Sequence, residues 1–128
     1  MATGVLLASS GCSLGGDEEA KPASGPPAEI AATVDRLERA VATRDYRTIC
    51  DRLFTAQARK RAGGGECARQ LGSAAEGVRR PRIEIEAIDV EGNRAAVKVR
   101  TRADGQARLT DALQLRRQRG RWLIEALG

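Results

Sequence analysis

Two hydrophobic periods divide the chain. From residue 28 onward Ile30, Val34, Leu37 and Val41 recur at i, i+4, i+7 and i+11, one stripe at helical spacing, while Asp35, Arg36, Glu38 and Arg39 fill the opposite side. The pattern breaks near Arg44 and Asp45, and Asp45 is suited to cap a second helix whose apolar side is Ile49, Leu53 and Phe54. Thr55 caps a further turn or two through Arg61, and Gly63, Gly64 and Gly65 interrupt. Cys67, Leu71 and Ala75 then make a shorter helical stripe, weakened by Gly72.

At Pro81 the period changes to two. "RIEIEAIDV" sets Ile83 and Ile85 against Glu84 and Glu86. "GNRAAVKVRTR" sets Val97, Val99 and Thr101 against Lys98, Arg100 and Arg102. "ARLTDALQLRR" aligns Leu109, Leu113 and Leu115, and "RWLIEAL" pairs Trp122 with Ile124. Between these segments lie Glu91-Gly92-Asn93, Asp104-Gly105 and Arg119-Gly120, all hairpin chemistry. The expected architecture is therefore α+β: helices first, packed on a four-stranded antiparallel meander. Its outer face carries Glu84, Glu86, Lys98, Arg100, Gln114, Arg116 and Glu125, interrupted by Ala112 and Leu123. A face so charged is a poor apolar dimer interface, which favours a monomer.

Composition sharpens the picture in three ways. Only Tyr46, Phe54 and Trp122 are aromatic, so the core must come from Leu, Ile, Val and Ala. A folded part of about 100 residues buries a modest fraction of its surface, which raises the value of any crosslink. The net charge is +5 and 19 of the 22 basic residues are Arg, but acids are interspersed throughout and no basic block is interleaved with aromatics. Nucleic-acid binding therefore lacks its stacking platform. There is no histidine, which removes the commonest general base and metal ligand, and the three cysteines do not form a zinc pattern. No cofactor and no metal site are expected.

The first residues read differently. "GVLLASSGCS" carries a short apolar run, Val5 to Ala8, then small residues, then Cys12. It resembles the lipobox of bacterial lipoproteins, in which a small residue precedes a lipidated cysteine. It departs from that pattern in having Ser9 where Leu is usual and no Lys or Arg upstream. Residues 1–12 are thus expected to be a truncated or degenerate lipoprotein signal segment with Cys12 as the site of lipid attachment. Residues 13–27 hold three of the four prolines together with glycines and acids, a composition expected to be a disordered tether. The domain proper is expected at 28–128. The competing expectation is a cytoplasmic N-terminus in which Cys12 is incidental.

The element order, the passage "ATRDYRTICDRL" after the first helix and the closing "GRWLIEAL" strand resemble the nuclear transport factor 2-like superfamily, the cone-shaped fold of ketosteroid-isomerase-like and SnoaL-like proteins. More narrowly, the chain resembles small actinobacterial lipoproteins of unknown function. These often carry one cysteine in the second helix and another after a Gly-rich loop, the places occupied here by Cys50 and Cys67. In an exported domain with Cys12 lipidated, the resemblance implies a Cys50–Cys67 disulfide. In a cytoplasmic protein the two would be reduced and buried.

The resemblance also raises the question of chemistry. Isomerase-type members place an Asp base and a Tyr in the cone, and hydratase-type members use His, which this chain lacks. Strict alternation through Leu109, Leu113 and Leu115 aims Asp111 inward, where burial would raise its pKa and suit it as a base, with Tyr46 as the weak second candidate. A β-bulge near residues 110–112 would instead turn Asp111 to solvent. Trp122 and Asp111 are the pocket candidates, with Trp122 better explained as core. Three function classes follow. The first is a lipid-anchored, extracytoplasmic, non-catalytic domain binding an envelope protein or a small apolar ligand. The second is a small cone-fold enzyme, isomerase or cyclase in type, using Asp111. The third is a cytoplasmic interaction module.

Overall fold

The computed structural model describes residues 24–127; Cys12, the signal segment and most of the tether lie outside them. Helix α1 spans Gly25–Ala42 and starts three residues before the expected boundary. Pro26 and Pro27 fall in its first turn, where their fixed φ suits the helix and their missing N–H groups would have had no helical acceptor. Its buried face is Ile30, Ala31, Thr33, Val34, Leu37 and Ala40, with Val41 half-buried at the flank.

Helix α2, Tyr46–Thr48, is capped as the sequence predicts. The Asp45 carboxylate accepts the Thr48 N–H at 3.3 Å and the Thr48 hydroxyl at 2.7 Å. It does not run on as an α-helix. Residues Ile49–Leu53 form a π-turn, closed by the Phe54 N–H on the Ile49 carbonyl at 2.9 Å. The wide turn puts Ile49, Cys50 and Leu53 inward together and releases Phe54 into extended backbone, where it bridges in parallel to Ile124. Phe54 therefore leaves the second helix to which its apolar character assigned it. Thr55 caps α3, Ala56–Arg61, by accepting the Ala58 N–H at 3.0 Å. A 3₁₀ turn, Gly64–Glu66, leads into α4, Cys67–Ala74.

Strands β1 (Arg82–Glu91), β2 (Arg94–Arg102), β3 (Leu109–Gln118) and β4 (Arg121–Leu127) form one antiparallel sheet in sequential order. The β3–β4 turn has both Arg119 (φ 53°) and Gly120 (φ 77°) left-handed, the geometry whose twist matches that of the strands it joins. Two bulges curl the sheet. Glu86 is the extra residue in β1 and Glu125 the extra residue in β4, while the β2–β3 register is unbroken. A bulge bends its own strand and increases local twist. Placed in the two edge strands, they bring both edges round toward α1.

That helix then occupies both edges at once. The Glu38 carboxylate accepts the Ile83 N–H of β1 at 2.7 Å, and the Thr33 hydroxyl donates to the Trp122 carbonyl of β4 at 3.0 Å. Further along β4 the Thr55 N–H donates to the Ile124 carbonyl at 2.9 Å, and the Arg61 guanidinium donates to the carbonyl of Glu125. Edge strands with free backbone groups invite pairing with other chains; here helices and loops take those groups. The core lies between, with Ile30, Val97, Val99 and Ile124 wholly excluded from solvent. On the convex face Arg100–Glu86 (2.7 Å) and Arg116–Glu125 (2.8 Å) pair as the alternation of charges predicts.

Candidate binding groove

The two cysteines of the domain are joined. Cys50, on the π-turn, and Cys67, at the start of α4, form a disulfide with Cα atoms 6.1 Å apart, and both are buried. The bond pins α4 to the π-turn and closes a loop containing α3 and the glycine run.

The two acid–base candidates are not brought together. Asp111 pairs in register with Val99 and so belongs to the concave face, as the alternation predicts, but its side chain is exposed. The expected bulge at 110–112 does not occur. The reason for the exposure is the reach of the helices: Leu109, the next concave position toward the strand's start, is 60 % exposed, so this end of β3 projects past the helical layer. Asp111 is therefore not a buried base. Tyr46 lies half-buried against the core, its ring against the backbone of Gly72, where a Cβ would sit 3.4 Å away. The close approach explains the glycine that interrupts the α4 stripe.

Trp122 answers to both of its expectations. It is 3 % exposed and belongs to the core cluster, and it also lines a groove of about 470 Å³. Its indole Nε1–H is buried without an acceptor among the described residues. The groove lies between α1, the π-turn and the β3–β4 hairpin. Glu29, Thr33 and Arg36 come from α1, Arg52 from the π-turn, and Arg121 and Trp122 from β4. The spacing on α1 explains its share, because positions four, three and seven residues apart lie on one face. The volume falls within the range of small-molecule sites. Arg36, Arg52 and Arg121 are exposed, so their charges meet solvent across the opening.

Sequence reasoning had placed Arg36 only on a solvated helix face and had given Arg52 and Arg121 no role. They come from three separate segments, so no local motif could have joined them. Among the described residues no group of His, Cys, Asp and Glu could hold a metal ion, and no helix is long and apolar enough to cross a membrane.

Comparison with known proteins agrees with this architecture. A family model described as "Putative lumazine-binding" matches residues 65–126, from the glycine run through β4. An NTF2-like protein of unknown function from Silicibacter pomeroyi superposes with a TM-score of 0.61 at 21 % identity, over 78 % of this chain and 90 % of that one. Another, from Shewanella baltica, gives 0.56 at 16 % identity, over 77 % and 87 %. A de novo designed NTF2 fold protein gives 0.53 at 19 % identity, over 77 % and 82 %. No curated protein matches the sequence. The described chain is a domain of the nuclear transport factor 2-like fold, helices closing a curled four-stranded sheet.

Proposed function

We propose that this chain is an extracytoplasmic, non-catalytic binding domain, held to the membrane by a lipid on Cys12, that takes a small ligand in the groove beside Trp122. The observation that carries the reading is the Cys50–Cys67 bond. Buried structural disulfides persist in oxidising compartments and are rare where thiols are kept reduced. A lipid on Cys12 would place the domain in such a compartment and use up the third cysteine, leaving these two to pair. The tether between Cys12 and α1 then sets the domain off the bilayer.

The ligand part of the reading rests on the groove and on the matched family's description, which names a flat heteroaromatic ring system. The exposure of Asp111 counts against the isomerase-like arrangement. The paired charges on the convex face favour a monomer.

Intact-mass measurement on protein from the native host tests the location directly. The expected product begins at Cys12, carries added acyl mass and lacks the two hydrogens of a reduced Cys50–Cys67 pair. Recovery of unacylated polypeptide with all thiols free would overturn the reading.

A further inference from the structure

We infer that the groove beside Trp122 selects ligands bearing an anionic group, a phosphate or a carboxylate, and that Arg36, Arg52 and Arg121 read that group. The inference rests on the ligand-binding reading above and narrows its chemistry.

Elsewhere on the domain arginines find acidic partners. Arg59, Arg69, Arg80, Arg100 and Arg116 each meet a carboxylate, at 3.4, 3.5, 2.8, 2.7 and 2.8 Å. Arg36, Arg52 and Arg121 have no carboxylate partner among the described residues, yet all three line one concavity. Among the described residues Glu29 is the single acid on its wall, so three positive charges there face one negative. A cleft lined by one sign of charge with low-dielectric walls concentrates ions of the other sign. Guanidinium groups from three elements converging on one space suit a planar, multidentate acceptor such as phosphate or carboxylate.

Trp122 also lines the groove, and its buried indole N–H has no acceptor among the described residues. Thr33 is already engaged, its hydroxyl donating to the Trp122 carbonyl, so it holds the wall in place and is not free for a ligand. The ligand this describes is a soluble organic anion small enough for about 470 Å³.

Flavin mononucleotide and riboflavin test the inference, because they share a fluorescent heteroaromatic ring and differ by one phosphate. Fluorescence anisotropy of each is measured against the full chain at low and at high salt. Flavin mononucleotide is expected to bind about tenfold more tightly than riboflavin at low salt, with the preference shrinking as salt screens the arginines. Each of Arg36→Gln, Arg52→Gln and Arg121→Gln is expected to weaken it about twofold, the scale of an exposed charge pair. Arg69→Gln, outside the groove, should leave it unchanged. Inorganic phosphate should compete. An unchanged melting curve for the triple variant shows that the fold is intact.

Equal binding of the two flavins, or a preference that survives the triple variant, overturns the anion inference and leaves the ligand-binding reading standing. Binding of neither flavin overturns both. Phosphatidylglycerol vesicles that displace flavin mononucleotide, where phosphatidylcholine vesicles do not, would overturn assignment of the groove to a soluble ligand.

Discussion

Removing the Cys50–Cys67 bond is the perturbation whose size the structure defines best. The two residues are 17 apart in sequence, and closing a loop of that length in the unfolded chain corresponds to about 3 kcal/mol in the chain-entropy model. A domain of this size has a net stability of about 5–15 kcal/mol, so the bond is a large share of it. At about 4–8 °C per kcal/mol, its loss should lower the melting temperature by about 12–24 °C. Little of this arises in the folded state. Both sulfurs are buried among apolar side chains, and a free thiol behaves there as a small hydrophobe. The assay is urea unfolding of the oxidised protein beside protein unfolded, reduced and refolded in reductant, followed by far-ultraviolet circular dichroism. The midpoint should fall and the slope m should rise, because the unconstrained unfolded chain exposes more surface. A Cys50→Ala, Cys67→Ala variant separates crosslink from packing, since it loses the sulfur contacts as well and should be the least stable of the three. Coincident curves for oxidised and reduced protein would refute the reasoning, because they would mean that the bond constrains nothing the folded core does not already hold.

Other substitutions probe the closure of the cone. Leu115→Ala, at a site 1 % exposed on the concave face of β3, should cost about 2–5 kcal/mol in the same urea assay; a cost below 1 would mean the sheet collapses onto the space. Thr33→Val keeps the shape but leaves the Trp122 carbonyl without its side-chain donor, for an expected loss of about 1–3 kcal/mol. Thr43→Val, exposed and bonded only within its own helix, should lie within about 0.5 kcal/mol of wild type; equal effects at the two sites would deny Thr33 its part in holding β4. Gly63→Ala places a Cβ 3.0 Å from the Gln70 side chain at a φ of +117°, and should cost more than about 1 kcal/mol, whereas Gly65→Ala meets nothing within 4 Å and should be near neutral by thermal melting.

Much of this architecture is written locally. The stripe through Ile30, Val34 and Leu37 needs only a helical period, and the alternation from Ile83 to Ile124 needs only a pleat. Asp45 and Thr55 cap the helices they precede because their side chains reach a backbone N–H three residues on, a distance set inside one turn. Arg119-Gly120 gives the last hairpin for the same local reason. The fate of Asp111 is different in kind. Alternation correctly assigned its face, but whether that face is covered depends on how far α1 and α4 reach, which no property of β3 records. Phe54 likewise passes from helix to bridge because Ile124, seventy residues away, offers its strand edge. The groove is the extreme case: Arg36, Arg52 and Arg121 acquire a common space only when bulges at Glu86 and Glu125 curl the sheet far enough for one helix to meet both of its edges. Side-chain period and capping are short-range and legible in sequence; coverage and convergence depend on long-range packing, which only the folded chain decides.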